Sequence, residues 1–244
     1  MKNWMWSLFV FVITFLIAFV LNIPFWIFLI VVIPLLIIAL TYGSFSYSFR
    51  AALHAEPIPE HGYESRIKDL DLEVKKVTSL GFEKFDAFYL KMIPDSIIYA
   101  LTHKAEPIYL CLYHLGSKKT CDIFTRYENG FTLTTCDNVD GGMTPRPNKN
   151  LLEIITSVSY EKLFEGHQKA HKFLIDKGLR NYELTKDDFR NYFMKSIHDY
   201  SEHVRKYLFW PILLVIWTVR RHGRVYCKTI EMQYKEGRIK LHEK

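Results

Sequence analysis

The chain has 244 residues and a formal net charge of +6, a length that accommodates one domain of ordinary size beside further segments. The positive charge is not spread evenly, because residues 50–206 carry 23 basic and 23 acidic side chains, whereas residues 207–244 carry eight basic and three acidic ones. A neutral central region is not what a nucleic-acid-binding domain requires, so we expect no nucleic-acid partner.

The first segment, residues 3–48, contains no charged side chain. About 20 apolar residues cross a membrane, so this run is long enough for two spans. Pro24 divides it, since proline removes a backbone donor and disfavours helical geometry in the residue before it. The sequence therefore predicts a transmembrane hairpin in residues 1–50, with spans at about 4–21 and 25–42. A shallower re-entrant hairpin is the alternative, while a cleaved signal peptide is disfavoured because its apolar core is only about 7–15 residues long.

The orientation of the predicted hairpin follows from its flanking charges. Lys2 and Arg50 lie on either side of the hairpin, and its turn carries no charge. Basic residues beside membrane spans tend to stay in the cytoplasm. We therefore expect an integral membrane protein that has the lipid bilayer as a partner and most of its chain in the cytoplasm.

The central region reads as a linker followed by an α+β domain. Residues 51–64 contain two prolines and form the linker, and residues 65–206 form the domain. Its first helix is expected at residues 65–80, because apolar residues recur there at helical spacing. Short β-rich segments follow at residues 85–92, 96–102, 107–115, 120–127 and 131–135.

A tight hairpin joins the last two of these segments. Gly130 ends a three-residue loop at the position where a positive φ is needed, which pairs Tyr127 with Phe131, Thr125 with Leu133, and Ile123 with Thr135. The sequence predicts an antiparallel meander of four or five strands, followed by an irregular loop at residues 138–150. Two helices after the loop, capped by Ser159 and Thr185, are expected on one face of the sheet.

A last apolar segment, residues 207–219, is shorter than a membrane span and has basic residues at both ends. We expect an interfacial helix and a basic tail in residues 207–244; a longer third span and a buried core helix are the alternatives. The basic side chains beside this segment form a cluster that could bind anionic lipid headgroups. The cluster consists of Arg205, Lys206, Arg220, Arg221, Arg224 and Lys228.

Candidate chemistry is sparse. His167 and His171 are spaced i, i+4 and share a helix face, as two metal ligands would, and His198, Glu202 or His203 could supply a third ligand. His167 also lies on the apolar stripe of its helix, which favours a structural role. The pair lacks the Glu of an H-E-x-x-H motif, so no general base is built in. Two histidines at this spacing also arise easily by chance in a chain with ten, so we expect no metal site and no cofactor.

Cysteine and aspartate provide the remaining candidates. Cys136 follows a strand and precedes the irregular loop, so it could act as a nucleophile, although small buried cysteines are common. The four cysteines fit a reducing compartment. The aspartates of the β region, with no pair at a spacing typical of acid–base catalysis, are expected near strand ends: Asp86, Asp95, Asp122, Asp137 and Asp140.

Taken together, the sequence predicts an α+β fold with a transmembrane anchor: a two-helix hairpin, a meander with helices on one face, and a C-terminal interfacial helix. The favoured function is non-catalytic binding or scaffolding, in which the domain holds an unknown protein partner or ligand at the membrane. One alternative is a membrane-bound enzyme, a metal-dependent or cysteine-based hydrolase using His167, His171 or Cys136. A structural subunit of a membrane complex is the second alternative.

Overall fold

The structure, a computed structural model, describes residues 12, 24–27, 30, 32–51, 54–92, 95–139, 145–206, 210–219 and 222–241. Within these residues one sheet of seven strands follows the order of the chain. All neighbouring strands are antiparallel except the last two, which are parallel. The strands are β1 (Ala55–Glu56), β2 (Phe82–Leu90), β3 (Ser96–His103), β4 (Ile108–Leu115), β5 (Lys118–Arg126), β6 (Thr132–Cys136) and β7 (Asn150–Ile154).

Helices precede, interrupt and follow the sheet. A single helical turn, Phe25–Ile27, comes first, and a 3-10 helix, His222–Cys227, lies near the end. The longer α-helices are α1 (Ile33–Ala51), α2 (Glu64–Thr78), α3 (Tyr160–Asp176), α4 (Lys186–Arg205), α5 (Trp210–Val219) and α6 (Ile230–Lys235).

The hairpin between β5 and β6 forms as predicted. Thr125 is opposite Leu133 and Ile123 is opposite Thr135, and the Tyr127 amide donates to the Phe131 carbonyl. Gly130 has a φ of +79°, a conformation that costs glycine no side-chain clash. These pairings fix which side chains of β5 and β6 point to each face of the sheet.

The predicted sheet of four or five strands with helices on one face is wrong in both respects. The structure has seven strands, and helices cover both faces. On one face, Leu70 of α2 and Leu163 of α3 pack with Leu101 of β3; on the other, Phe189 of α4 packs with Phe124 of β5. Strand β3 shows why both faces are covered. Six of its consecutive residues are buried, as is typical of a strand that is packed on both sides.

The predicted transmembrane hairpin is not supported. Of residues 4–21 the structure describes only Val12, so the first span lies almost wholly outside the described residues. The second span, 25–42, overlaps the turn Phe25–Ile27 and the first half of α1. Among the residues that the structure describes, no helix combines the length and the apolar character that crossing a membrane requires.

The polar second half of α1 explains the difference. It contains Thr41, three serines and Arg50, which lower the mean hydropathy of a helix whose first half is strongly apolar. The predicted span ends at residue 42, whereas α1 begins at Ile33 and continues through these polar residues to Ala51. The predictions of a transmembrane anchor and of an integral membrane localisation are therefore wrong.

The end of the chain packs against other elements. Trp210 of α5 is buried beside Val204, and its ring centroid lies 5.4 Å from that of Tyr42 in α1. The Ile230 amide at the start of α6 donates to Glu153 of β7 at 2.9 Å, and the Gln233 side chain donates to the Leu152 carbonyl at 2.9 Å. Residues 222–241 are thus part of the α+β domain and not a separate tail.

Candidate functional site: a cavity between the sheet and helix α4

A cavity of about 300 Å³ lies between the sheet and α4. Successive side chains of a strand point to opposite faces, so alternate residues of β3 to β6 form its floor. Residues of α4 lie opposite, including Phe193, Ser196 and Ile197. The floor residues are Ser96, Ile98, Tyr113, Leu115, Thr120, Asp122, Phe124, Thr132, Thr134 and Cys136.

Asp122 is the charged residue of this floor. It lies in the middle of β5, opposite Cys111 of β4 and Cys136 of β6, and not near a strand end as expected from the sequence. The Tyr113 hydroxyl donates to Asp122 Oδ2 at 2.8 Å. Asp122 Oδ1 is buried and has no hydrogen-bond partner among the described residues.

The surroundings of Asp122 raise the pKa of its carboxyl group. Burial raises the pKa of the Asp122 carboxyl to about 7, because a charged group loses hydration inside the protein. The hydrogen bond from Tyr113, the nearby Arg146 and the Cys111 thiol lower the pKa and only partly offset burial. The residue nevertheless keeps intermediate accessibility, which is consistent with its position on the cavity wall.

Ser96 provides a second unsatisfied polar group. Its side chain is fully buried, its Oγ has no hydrogen-bond partner in the described part of the chain, and it lines the same cavity. The strand register places Ala100, Cys111 and Asp122 in one row across the sheet. Ser96 is four residues from this row along β3, which corresponds to about 13 Å. The cavity floor therefore extends about 13 Å along β3 and across the four strands β3 to β6.

Arg146 brings a permanent positive charge to the cavity wall. Its guanidinium carbon lies 4.9 Å from the centroid of the Tyr200 ring, and its backbone amide donates to the Tyr226 hydroxyl at 3.1 Å. The cavity thus combines apolar walls with a carboxyl group, a guanidinium group and several hydroxyl groups. This is the usual composition of a small-molecule site.

Comparison of the chain with protein-family models, with curated proteins and with solved structures gives no match.

The two histidines singled out by the sequence lie on the opposite face of the sheet, on α3. His167 is fully buried, with Nε2 at 2.9 Å from Thr125 Oγ1 and Nδ1 at 2.9 Å from Thr135 Oγ1. Burial, assisted by His171, lowers the pKa of His167 to about 3, so the ring is neutral at pH 7. His171 Nδ1 is 2.9 Å from the Tyr127 hydroxyl, and burial lowers its pKa as well.

The structure does not bring these histidines together with the proposed third ligands. His198, Glu202 and His203 belong to α4, which covers the other face of the sheet. In the described ranges, no group of three or more His, Cys, Asp or Glu side chains is placed to hold a metal ion.

Cys136 lines the cavity, and its Sγ is 3.4 Å from the Asn138 carbonyl oxygen. Burial raises the pKa of the Cys136 thiol to about 12. The thiolate is the nucleophilic form of cysteine, so this environment disfavours attack by Cys136 at neutral pH.

The basic cluster is only partly described, because Arg220 and Arg221 lie outside the described residues. Lys228 forms an ion pair with Glu236, and Arg205 lies 3.8 Å from Glu202. Binding of anionic headgroups by this cluster stays a prediction.

The sequence interpretation missed the importance of Asp122, Ser96 and Tyr113. The available signal was a carboxylate between Cys121 and Ile123 in a strand whose neighbours are apolar on both sides. That signal has meaning only once both faces of the sheet are known to be covered, because otherwise Asp122 would lie on a solvent-facing side.

Proposed function

We propose that this protein is a binding module that holds a small, largely apolar molecule between β3–β6 and α4, with the polar end of the molecule near Asp122. The proposal keeps the non-catalytic binding function favoured by the sequence and assigns it to a specific cavity.

The observation that carries the proposal is the presence of two unpartnered polar atoms in one apolar cavity. A buried donor or acceptor without a partner costs about 1–3 kcal/mol, and native structures contain few such atoms. Asp122 Oδ1 and Ser96 Oγ are such atoms, and both residues line the cavity. A bound molecule that carries polar groups could recover this cost.

The apolar walls supply the remaining binding energy. Ile98, Phe193 and Ile197 line the space between the sheet and α4, and apolar contact contributes about 25 cal/mol for each Å² removed from water. The enclosure by a helix also favours a small molecule over a protein segment, because a segment would have to displace α4.

Blocking the cavity tests the proposal directly. We expect the wild-type protein to enhance the fluorescence of N-phenyl-1-naphthylamine, an uncharged probe of apolar cavities, with saturable binding. Ser196→Trp places a large ring at the cavity wall and should weaken this binding at least tenfold. His198→Trp changes an exposed position of the same helix and should leave it unchanged.

Unfolding by urea would verify that both tryptophan variants retain the fold. Equal probe affinity in the wild type and in folded Ser196→Trp would overturn the proposal. So would equal loss in both variants, because the effect would then not depend on the cavity.

Acid–base catalysis at Asp122 is a second candidate function. A pKa near 7 suits a group that accepts and returns a proton at neutral pH, and the Tyr113 hydroxyl orients the carboxyl. With p-nitrophenyl butyrate as a probe ester, we expect hydrolysis to rise with pH around a midpoint near 7. Asp122→Asn should reduce the rate at least 100-fold, and equal rates in the two proteins would exclude this function for Asp122.

A further inference from the structure

We infer that the ligand of the cavity is an apolar alcohol, a molecule whose hydrocarbon body fills the space under α4 and whose hydroxyl group contacts the Asp122 carboxyl. This inference rests on the proposed binding function and specifies the chemical class of the ligand.

The first step is the state of the Asp122 carboxyl. Oδ2 already accepts the Tyr113 hydroxyl at 2.8 Å, whereas Oδ1 has no partner among the described residues. The terminal torsion of aspartate is broad, so a small rotation turns the carboxyl towards the cavity. The Cys111 thiol beside it is a weak donor and does not replace a ligand.

An ammonium group is a poor partner for this carboxyl. Arg146 lines the same cavity, so an ammonium group beside Asp122 would meet a second positive charge. Among the residues that the structure describes, no other carboxylate lines the cavity; Asp137 lies nearby, and its Oδ1 already accepts from the Thr120 hydroxyl and the Cys121 amide. The titratable and charged groups around Asp122 are Tyr113 and Cys111 on β4, Cys136 and Asp137 at the end of β6, Arg146 before β7, and Tyr192 and Tyr200 on α4.

A carboxylate ligand is disfavoured for the opposite reason. It could accept from Arg146, but it would lie close to Asp122 and Asp137, and two nearby carboxylates resist simultaneous ionisation. Such a ligand would require Asp122 to be protonated and would therefore be lost as the pH rises.

A hydroxyl group satisfies the carboxyl in both of its protonation states. It donates to Oδ1 when Asp122 is ionised and accepts from the carboxyl proton when Asp122 is neutral. Because burial places the Asp122 pKa close to neutrality, a ligand that tolerates both states binds without a change in protonation. Only an uncharged group that is both donor and acceptor has this property.

The rest of the cavity fits a ligand with one polar end and a long body. The wall continues from Asp122 past Ile98 to Ser96, about 13 Å along β3. An alcohol whose hydrocarbon chain runs along β3 therefore has the length that this part of the cavity offers.

Three probes of equal chain length distinguish the alternatives: 1-octanol, octylamine and octanoate. Each is used to displace the uncharged dye N-phenyl-1-naphthylamine at pH 5.5 and at pH 8.5, after the affinity of the dye is measured at each pH. We expect octanol to bind most tightly at both pH values, with affinities that differ less than threefold. Octylamine should weaken at pH 5.5 and octanoate at pH 8.5.

Tighter binding of octylamine or octanoate than of octanol at either pH would overturn the inference, as would failure of all three to displace the dye. Neither result affects the proposed binding function, which is tested separately by the loss of dye binding in Ser196→Trp.

Variants of Asp122 complete the test. Asp122→Asn keeps a donor and an acceptor, so octanol should bind within about fivefold of wild type while the pH dependence of the two charged probes disappears. Asp122→Leu should weaken octanol at least tenfold. Asp176→Asn, at an exposed position of α3, is the control and should change neither. Unchanged octanol binding in folded Asp122→Leu, or a tenfold loss in Asp122→Asn, would contradict the assignment.

Discussion

The carboxyl of Asp122 makes stability depend on pH in a direction opposite to that of an aspartate whose pKa is lowered by an ion pair. Its pKa is raised by burial from 3.8 to about 7, so between these values the folded protein holds a proton that the unfolded chain releases. Stability is therefore greatest below about pH 4 as far as this group is concerned, and it is lost as the pH rises towards 7.

Replacing the carboxyl should remove this dependence. We expect the free energy of unfolding of Asp122→Asn, relative to wild type, to increase by about 2–3 kcal/mol between pH 5 and pH 7.5, since one proton contributes about 1.4 kcal/mol per pH unit. Urea unfolding at the two pH values measures this change, with Asp176→Asn as the control. A constant difference between Asp122→Asn and wild type would show that the carboxyl ionises normally.

His167 connects helix α3 to two strands through threonine hydroxyls. Thr135→Val leaves His167 Nδ1 buried without a partner, so we expect a loss of about 1–3 kcal/mol in the free energy of unfolding. Thr134→Val is the matched control, because Thr134 is the adjacent residue on β6 and faces the cavity; it should change stability by about 0.5 kcal/mol or less. Equal effects of the two substitutions in urea unfolding would argue against a structural bond at His167.

For single residues, the sequence predicts whether a side chain is buried better than it predicts which groups that side chain contacts. The burial of His167 follows from the apolar stripe of its helix, which the sequence shows. Its hydroxyl partners are 42 and 32 residues away in the chain. Only the pairing of β5 with β6 brings Thr125 and Thr135 close enough together for both to contact one histidine. Asp122 could not be distinguished from the other aspartates for the same reason.

Among the elements, the junction between α2 and β2 depends on one glycine. Gly81 has a φ of +91°, and a Cβ built there would lie 2.8 Å from His103 Nε2. The His103 ring is held between Phe82 and Phe164, each with its centroid 5.3 Å away. The imidazole therefore cannot move aside easily.

A second glycine separates backbone strain from steric overlap. Gly178 also has a φ of +91°, but a Cβ there meets nothing within 4 Å. We expect Gly178→Ala to cost about 1–2 kcal/mol from left-handed strain and Gly81→Ala to cost at least 1 kcal/mol more. Thermal or urea unfolding of both variants measures the difference, and equal costs would mean that His103 relaxes freely.

The sequence predicts best those elements that are determined by residues close together in the chain. The β5–β6 hairpin follows from Gly130 and the alternation on either side of it. The short strand β1 lies in the segment that the sequence predicts to be a linker, because two residues give no periodicity. The parallel strand β7 was not expected either, since its pairing with β6 is made across the long segment at residues 137–149 and not through a tight turn.

On the scale of the molecule, the two helical layers differ in how well they pack. Helix α3 buries Leu163, His167 and Leu174 against the sheet, whereas part of α4 covers the cavity. We expect hydrogen exchange to show β3 and β4 amides opening only with global unfolding. The amides of residues 196–204 in α4 should open with free energies at least 1 kcal/mol lower, because local opening there exposes less packed surface.

Helix α3 is the matched reference for this comparison, since its length is similar and Leu163 of α3 packs into the core beside the sheet. Hydrogen exchange from α4 that is as slow as exchange from α3 would contradict the prediction that the cavity lowers the local stability of α4.

The layered arrangement was also the hardest feature to predict. Continuous apolar runs such as Ile97–Leu101 are compatible with one covered face, with two, or with a helix. The charge-free beginning of the chain presented a similar ambiguity at larger scale, because absence of charge does not by itself measure hydropathy along α1.

The positions of the four thiols should give two well-separated rates of cysteine modification. Cys227 is exposed, while Cys111, Cys121 and Cys136 are buried in the sheet. A disulfide reagent in excess should therefore modify one cysteine within seconds and the other three only when the sheet separates from its helices. The slow phase reports how often the interior becomes open to solvent, and because Cys111 and Cys136 flank Asp122, any occupant of the cavity should lengthen it.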